Sequence, residues 1–391
     1  MGKYLRIKRL NMDLGNSMTF AMFNGEQDIL ELPTAVEKFS ESKAKGFFTD
    51  DVPKSRLKDS LMLKVNGEYL LIGRAAQEYS GGDEHIWLDR HVKSESGLML
   101  QMFYAAIAIY EAEMNPDPDD DVTIEIDYFG TMLPIWEVLE TEKFSDRTNA
   151  MAERFYGDHS FEVFTPGCWK RINVNVKTSN CFIEGAVAKW ALTHKFDLSP
   201  NEAAEKFENV MTINADIGGG TIDLVRLQKR LENPRSREDF KTIMEKNNAY
   251  LKAIKTLQEE KMRRHFSTVR EVEEFIVRNY EKGSYLFVDG KTGEKKDYTD
   301  IIDSALREYT YAIMPKIINA FPAVSNVEYK FNYFGGVAPI LRKYIKEYVV
   351  EHWDDETFHE KHHIEPDRTA RFLNLYGLEI VSRHLTLSVK S

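Results

Sequence analysis

The sequence predicts an α/β protein made of two related halves with inserted segments, and three observations lead there. A strand–turn–strand pattern built around an aspartate occurs twice: Asn11-Met12-Asp13-Leu14-Gly15-Asn16-Ser17 is echoed in type by Asn214-Ala215-Asp216-Ile217-Gly218-Gly219-Gly220. After each copy, strand-like and helix-like stretches follow in the order β-β-α-β-α, with insertions, which is the pattern of a layered α/β protein. The chain has 391 residues. At roughly 150 residues per domain, that is room for two or three cores.

Each element has a local reason. The first copy follows an apolar stretch at 4–10 and runs into strand-like residues at 18–23. Residues 97–113 carry Leu98, Phe103, Ala106, Ile107 and Tyr110 at helical spacing. The acidic, proline-containing stretch 115–121 reads as a turn before a strand at 122–126, and Pro134 is placed to open a helix. Alternation of Ile172, Val174 and Val176 makes 170–176 a strand. Residues 183–194 read as a helix, and Ser199-Pro200-Asn201-Glu202 has the capping-box spacing for the next one. The second copy continues as a strand at 221–225. Residues 230–298 are charge-dense, with a capping box at Thr268-Val269-Arg270-Glu271, and read as a mainly helical insertion. A helix at 299–321, a strand at 327–334, a Gly335-Gly336 turn and a helix from Pro339 to about 353 complete the second half.

Composition narrows the function. Hydrophobic content of 42% and charged content of 29% are those of a globular protein without disorder bias. Lys and Arg total 52 against 63 Asp and Glu, for a net charge of −11, so direct nucleic acid binding is not expected. Two cysteines, Cys168 and Cys181, make no disulfide framework and point to a reducing compartment. No signal-peptide core opens the chain, and the most apolar run, 98–110, is short of the ~20 residues a membrane span needs. A cytoplasmic protein with no membrane partner is expected.

The chemistry lies in the turns. Successive glycines at 218–220 let backbone N–H groups converge on an anion, because no Cβ blocks close approach. An adjacent carboxylate repels phosphate unless a cation stands between them. Asp216 therefore calls for Mg²⁺ with its waters, and Asp13 could supply a second carboxylate to the same ion. A Walker A loop would end in Gly-Lys-Ser/Thr and a dinucleotide fingerprint would open a helix, whereas 221–225 continues as a strand. A plain hairpin is the alternative reading of Gly218 to Gly220. Gly335-Gly336, between strand and helix, fits either ribose and adenine at a helix start or a tight connection.

These residues resemble the actin/Hsp70/sugar-kinase superfamily, and within it the bacterial plasmid-segregation actins of the ParM type. Asp13 to Phe20 is similar to the family's first phosphate loop, Asp216 to Asp223 to the second, and Tyr333-Phe334-Gly335-Gly336-Val337 to its adenosine motif. Ile183-Glu184-Gly185-Ala186-Val187-Ala188 and Asn374-Leu375-Tyr376-Gly377-Leu378 resemble the two connecting helices. Phe129 to Pro134 matches a strand-to-helix junction of plasmid actins. The motifs stand in family order over essentially the whole chain.

The resemblance implies an actin-like (ribonuclease H-like) duplicated fold with a central nucleotide cleft. Domain I would span 1–200, with an insertion at about 34–95 and the segment 368–391 returning to it; domain II would span 201–367, with its insertion at 230–298. ATP, ADP as product, and Mg²⁺ would bind at Asp13, Gly15, Asn16, Ser17, Asp216, Gly218, Gly219, Gly220, Thr221, Gly335 and Gly336. Asp13 and Asp216 would hold the metal through waters. Glu184 would orient the attacking water and, with Asp216, form the catalytic pair. The implied activity is an ATPase that polymerises into filaments and segregates plasmid DNA through a DNA-bound adaptor. A small-molecule kinase or Hsp70-like chaperone ATPase is the rival; the latter would carry a further substrate-binding domain, and this sequence ends at Ser391. Two departures stand out: Phe20 occupies the place of a common lysine, and Ser17 that of a common glycine, where its hydroxyl could donate instead.

Three other patterns have plainer readings. His359-Glu360-Lys361-His362-His363, with Glu379 further on, matches a zinc-protease motif, but its polar flanks and Pro366 favour a solvated segment. Cys168 and Cys181 lack metal or redox spacing. The basic cluster at 261–265 has acidic neighbours Glu259, Glu260 and Glu271, as a solvated helix face would.

Overall fold

Three segments of the chain each run through two sheets. β1 (Lys3–Ile7), β8 (Val122–Ile126) and β11 (Lys170–Val176) lie side by side and parallel. Two residues later each resumes, as β2 (Leu10–Leu14), β9 (Phe129–Leu133) and β12 (Ser179–Ile183), again parallel and in the same order. The ladder does not lapse at the break. Asp127 N–H donates to Ile7 and Leu10 N–H to Tyr128, both at 2.9 Å, while Lys177 donates to Ile126 and Phe129 to Thr178, both at 2.8 Å.

The computed structural model describes residues 3–80, 92–115, 121–244 and 249–388. Most of the turn expected at 115–121 lies outside the described residues. Among those described, the first sheet is completed by β10 (Gly157–Val163), β6 (Met62–Val65), β7 (Glu68–Ile72) and β5 (Val36–Phe39), in the order β1-β8-β11-β10-β6-β7-β5. The second gains β3 (Met18–Phe23) and β4 (Leu30–Pro33), in the order β12-β9-β2-β3-β4. Strand β11 alternates buried and exposed residues, as the spacing of Ile172, Val174 and Val176 predicts. The helix Gly97–Met114 is capped by Ser96, whose hydroxyl accepts from Leu98 N–H. It is buried on nearly every side, and Phe103 meets Phe129 and Phe155 edge-on at 5.1 and 5.3 Å.

A third sheet holds β13 (Met211–Ile217), β14 (Ile222–Leu227), β15 (Phe240–Ile243), β18 (Tyr329–Phe334) and β19 (His362–Ile364), in the order β15-β14-β13-β18-β19. Its plan repeats that of β4-β3-β2-β9-β12. In both, an antiparallel three-strand meander is followed by two parallel strands. The strand–turn–strand echo is therefore the visible part of a duplicated five-strand unit. A small hairpin, β16 (Leu286–Val288) with β17 (Lys295–Asp297), stands apart. The Thr268 capping box forms, with both reciprocal bonds, at the start of the helix Val269–Asn279. Residues 230–298 also hold the helix Tyr250–Leu257 and three short strands.

The chain forms two compact units. Unit 1 comprises Met1–Ile183, His194–Pro200 and Leu375–Ser391; unit 2 comprises Glu184–Thr193 and Asn201–Asn374. In unit 1 the Glu379 carboxylate is fully buried and takes hydrogen bonds from Arg9, Arg383 and Asn11.

Several local expectations change. The helix expected at 183–194 is a strand end at Ile183, turns through 184–188 and a short helix Lys189–Thr193. Asn201, not Ser199, caps the following 3₁₀ turn, its side chain accepting from Ala203 N–H. The helix Thr299–Ile318 ends three residues before Phe321. The segment expected to be solvated is so only in part, and its histidines do not share a helix: His359 lies in the last turn of the exposed helix Asp355–Lys361 and pairs with Asp355, whereas His362 is buried and His363 lies on β19 beside Glu365. Glu379 is consumed by its two arginines. Among the described residues no group of three or more His, Cys, Asp or Glu side chains is arranged to hold a metal.

Candidate functional site

The duplicated hairpins carry most of the residues singled out above. In unit 1, β2 and β3 pair antiparallel with Asp13 opposite Phe20, and the turn between them holds Gly15, Asn16 and Ser17. Gly15 is required by space, because a Cβ there would lie 2.5 Å from the Met18 carbonyl oxygen. The turn is pinned from one side by Thr34, which is fully buried. Its hydroxyl donates to the Gly15 carbonyl at 2.7 Å, its N–H donates to the Ser17 carbonyl at 3.0 Å, and its Oγ1 lies 3.0 Å from Thr19 Oγ1. Asn16 Oδ1 is buried and makes no hydrogen bond. Its lone pairs are open to a donor from water or from a ligand at the turn.

In unit 2, β13 and β14 pair with Asp216 opposite Asp223, the same station that Asp13 and Phe20 occupy. Gly218 N–H donates to the Thr221 carbonyl at 3.0 Å and closes the turn. The Gly219 carbonyl accepts from Leu251 N–H at 2.9 Å, tying the turn to the helix Tyr250–Leu257. Asp223 is buried and held by the hydroxyls of Thr242 and Thr221.

Asp216 is closely confined. Its Oδ2 accepts from Asn374 Nδ2 at 2.6 Å. On its other side Gly335, at φ +89°, comes so near that a Cβ would lie 2.3 Å from Oδ1. Gly335 N–H donates to Ala370 and Val337 N–H to Ile217, at 2.9 and 3.1 Å, so the connection after β18 is fixed at both ends. Gly336 instead faces open space. Glu184 sits in the turns after β12, not on a helix, and Gly185, at φ +76°, has both backbone groups bonded by buried asparagines. Gly185 N–H donates to Asn374 Oδ1 at 3.0 Å, and its carbonyl accepts from Asn214 Nδ2 at 3.1 Å.

Unit 2 thus brings Glu184, Asp216, the 218–221 turn, Gly335 and Asn374 into one bonded neighbourhood. Sequence reading missed Thr34, Asn214 and the role of Asn374, which act through contacts distant in the chain. It also missed Arg270 and Glu273 on the helix Val269–Asn279, where burial lowers the guanidinium to about 10 and pushes the carboxyl up to about 7. Glu273 is influenced by Arg270 and by Arg371, next to the Ala370 that holds Gly335. Nearby, the fully buried Tyr250 hydroxyl has no hydrogen-bond partner.

Glycine turns that each follow an aspartate, with an open acceptor at Asn16, are chemically suited to a polyphosphate and its cation. Comparison with known proteins places them. The family model described as the Alp7A C-terminal domain matches residues 211–368. A crystal structure of the actin-like protein Alp7A is 37% identical, with 99% of this chain and 98% of that one covered at a TM-score of 0.90. The chain belongs to the Alp7A family of actin-like proteins. More distant members of the fold include the apo pSK41 ParM protein (16% identity, 99% of both chains, TM-score 0.60) and Bacillus thuringiensis ParM with ATP (15% identity, 97% and 98%, TM-score 0.62). No curated protein matches by sequence. The duplicated five-strand units of this Alp7A-family chain are those of an actin-like fold. Among its described residues no helix is long and apolar enough to cross a membrane.

Proposed function

We propose that this Alp7A-family chain is an actin-like ATPase of the bacterial cytoplasm that polymerises with ATP and Mg²⁺, its hydrolysis driving plasmid DNA segregation through a DNA-bound adaptor. The observation that carries the reading is the confinement of Asp216 between Asn374 and Gly335, at the mouth of a glycine turn whose backbone is tied down at Gly218 and Gly219. Such a carboxylate is preorganised and pays little to be ordered when a cation arrives.

In this reading Asp13 and Asp216 would hold Mg²⁺, which would supply charge neutralisation to the triphosphate. With Gly218 N–H closing the turn, the N–H groups of Gly219, Gly220, Gly15 and Asn16 donate to phosphate oxygens, with the hydroxyls of Ser17 and Thr221 beside them. Gly336, which leaves space where a side chain would stand, admits the nucleoside next to Gly335. Glu184 accepts from the attacking water and sets its line of approach. The relatives support the ligand and the assembly: one structure is a Bacillus thuringiensis ParM with ATP, and another is a 15-stranded ParM filament from Clostridium botulinum.

Pelleting with and without ATP and Mg²⁺, alongside phosphate release, tests the reading. Sedimentable polymer that needs both, and that vanishes in Asp216→Ala, is expected. A chain that stays monomeric with ATP and Mg²⁺ overturns it.

A further inference from the structure

We infer that Asn374 is a positioning residue for the proposed hydrolysis, because one buried amide orients the Asp216 carboxylate and the peptide that follows Glu184. The inference rests on the ATPase reading above. Asn374 lies on the helix Asp367–Ser388 and is only 7% exposed. Its Nδ2 donates to Asp216 Oδ2 at 2.6 Å, and its Oδ1 accepts from Gly185 N–H at 3.0 Å.

The chemistry of the partners fixes which way the amide points. An ionised carboxylate only accepts and a backbone N–H only donates, so the flipped amide would lose both bonds and set like against like. The Gly185 N–H belongs to the peptide joining it to Glu184, so Asn374 anchors Glu184 on its C-terminal side. Asn214 holds the Gly185 carbonyl at 3.1 Å, and Asn332 Nδ2 in turn donates to Asn214 Oδ1 at 3.3 Å. Three buried asparagines thus run from β18 through β13 to the Glu184 turn and on to the Asp216 carboxylate. The left-handed Gly185, at φ +76°, is held in that conformation from both of its peptide planes.

A packing role alone would be filled by any side chain of similar volume. Two directional bonds, one to Asp216 and one to the Gly185 N–H beside Glu184, are what a positioning role requires. The two bonds separate experimentally. Asn374→Ala removes both. Asn374→Asp keeps an oxygen for the Gly185 N–H but replaces the donor to Asp216 with a second acceptor.

The test measures exchange of the Gly185 amide in nucleotide-free protein, thermal midpoints, and kcat and KM for phosphate release from ATP with Mg²⁺. In Asn374→Ala the Gly185 amide should lose protection, and kcat should fall about 10–100-fold, as for residues that orient ligating groups. In Asn374→Asp the Gly185 amide should stay protected while kcat falls comparably. A variant that remains folded with wild-type kcat, although the parent hydrolyses ATP, overturns this inference alone. If Asn374→Ala fails to fold, Asn374→Asp decides in the same way. A parent chain that releases no phosphate overturns the ATPase reading and this inference with it.

Discussion

Gly335 lies so close to Asp216 that a Cβ on it would come within 2.3 Å of Oδ1. It also lies at φ +89°, where an L side chain is strained. Gly335→Ala should therefore rotate the Asp216 carboxylate away from Asn374. Titration with a fluorescent ATP analogue and Mg²⁺ should show affinity reduced by about tenfold or more, the equivalent of ~1.4 kcal/mol. Unchanged affinity would mean that the Asp216 geometry is not used for the ligand.

Thr34 secures the other hairpin. Thr34→Val keeps its shape and removes the hydroxyl that donates to the Gly15 carbonyl. Leaving that carbonyl short of a donor should lower stability by about 1–3 kcal/mol in urea unfolding. If the 15–17 turn serves the nucleotide, affinity should fall in the same variant at temperatures where it remains folded.

Glu379, fully buried between Arg9 and Arg383, is predicted to matter for unit 1 rather than for chemistry. Glu379→Ala strands two cations and should cost about 3–5 kcal/mol. Gly25 belongs to the same arrangement. At φ +77° it passes within 2.1 Å of Arg383 Nη2 and 2.3 Å of Glu379 Oε1 as measured from an added Cβ, so Gly25→Ala should also destabilise.

A half-buried carboxyl and a buried imidazole give opposite pH slopes. Burial raises Glu273 from an ordinary 4.5 to about 7, so the folded state holds its proton more tightly than the unfolded chain does. Its contribution therefore favours folding below about 4.5 and is lost as pH rises through about 7. Arg270 and Glu274 on its own helix and Arg371 from the helix Asp367–Ser388 face it. Burial lowers His362 from 6.5 to about 4, so its contribution is present above 6.5 and is lost as pH falls toward 4. Thermal midpoints from pH 5 to 8 should show Glu273→Gln gaining on the parent as pH rises. A difference that is flat with pH would contradict the assignment.

Much of this architecture could be read from local pattern. The 170–176 strand, the Thr268–Glu271 capping box and both aspartate hairpins depend on neighbours a few residues away, and all three formed as expected. The failures share a cause. Residues 183–194 have helical spacing, yet Gly185 is held at positive φ by Asn374 and Asn214, which lie far along the chain. The segment 359–363 reads as solvated, but pairing of β19 with β18 takes its end into a sheet and buries His362. Thr34 carries no motif, and only the folded chain sets it against Gly15. Local propensity was overruled wherever a hydrogen-bond partner came from another element.

The breaks at 8–9, 127–128 and 177–178 have a mechanical consequence. Each of the three strands crosses its break as unbroken covalent chain, and inter-strand hydrogen bonds continue on both sides. A pull on β1, β8 or β11 is therefore carried into β2, β9 and β12 by three backbones in parallel, with no side-chain contact in series. Hydrogen bonds span the break, and the Asp13 turn at the end of β2 lies at the end of one of these continuous backbones.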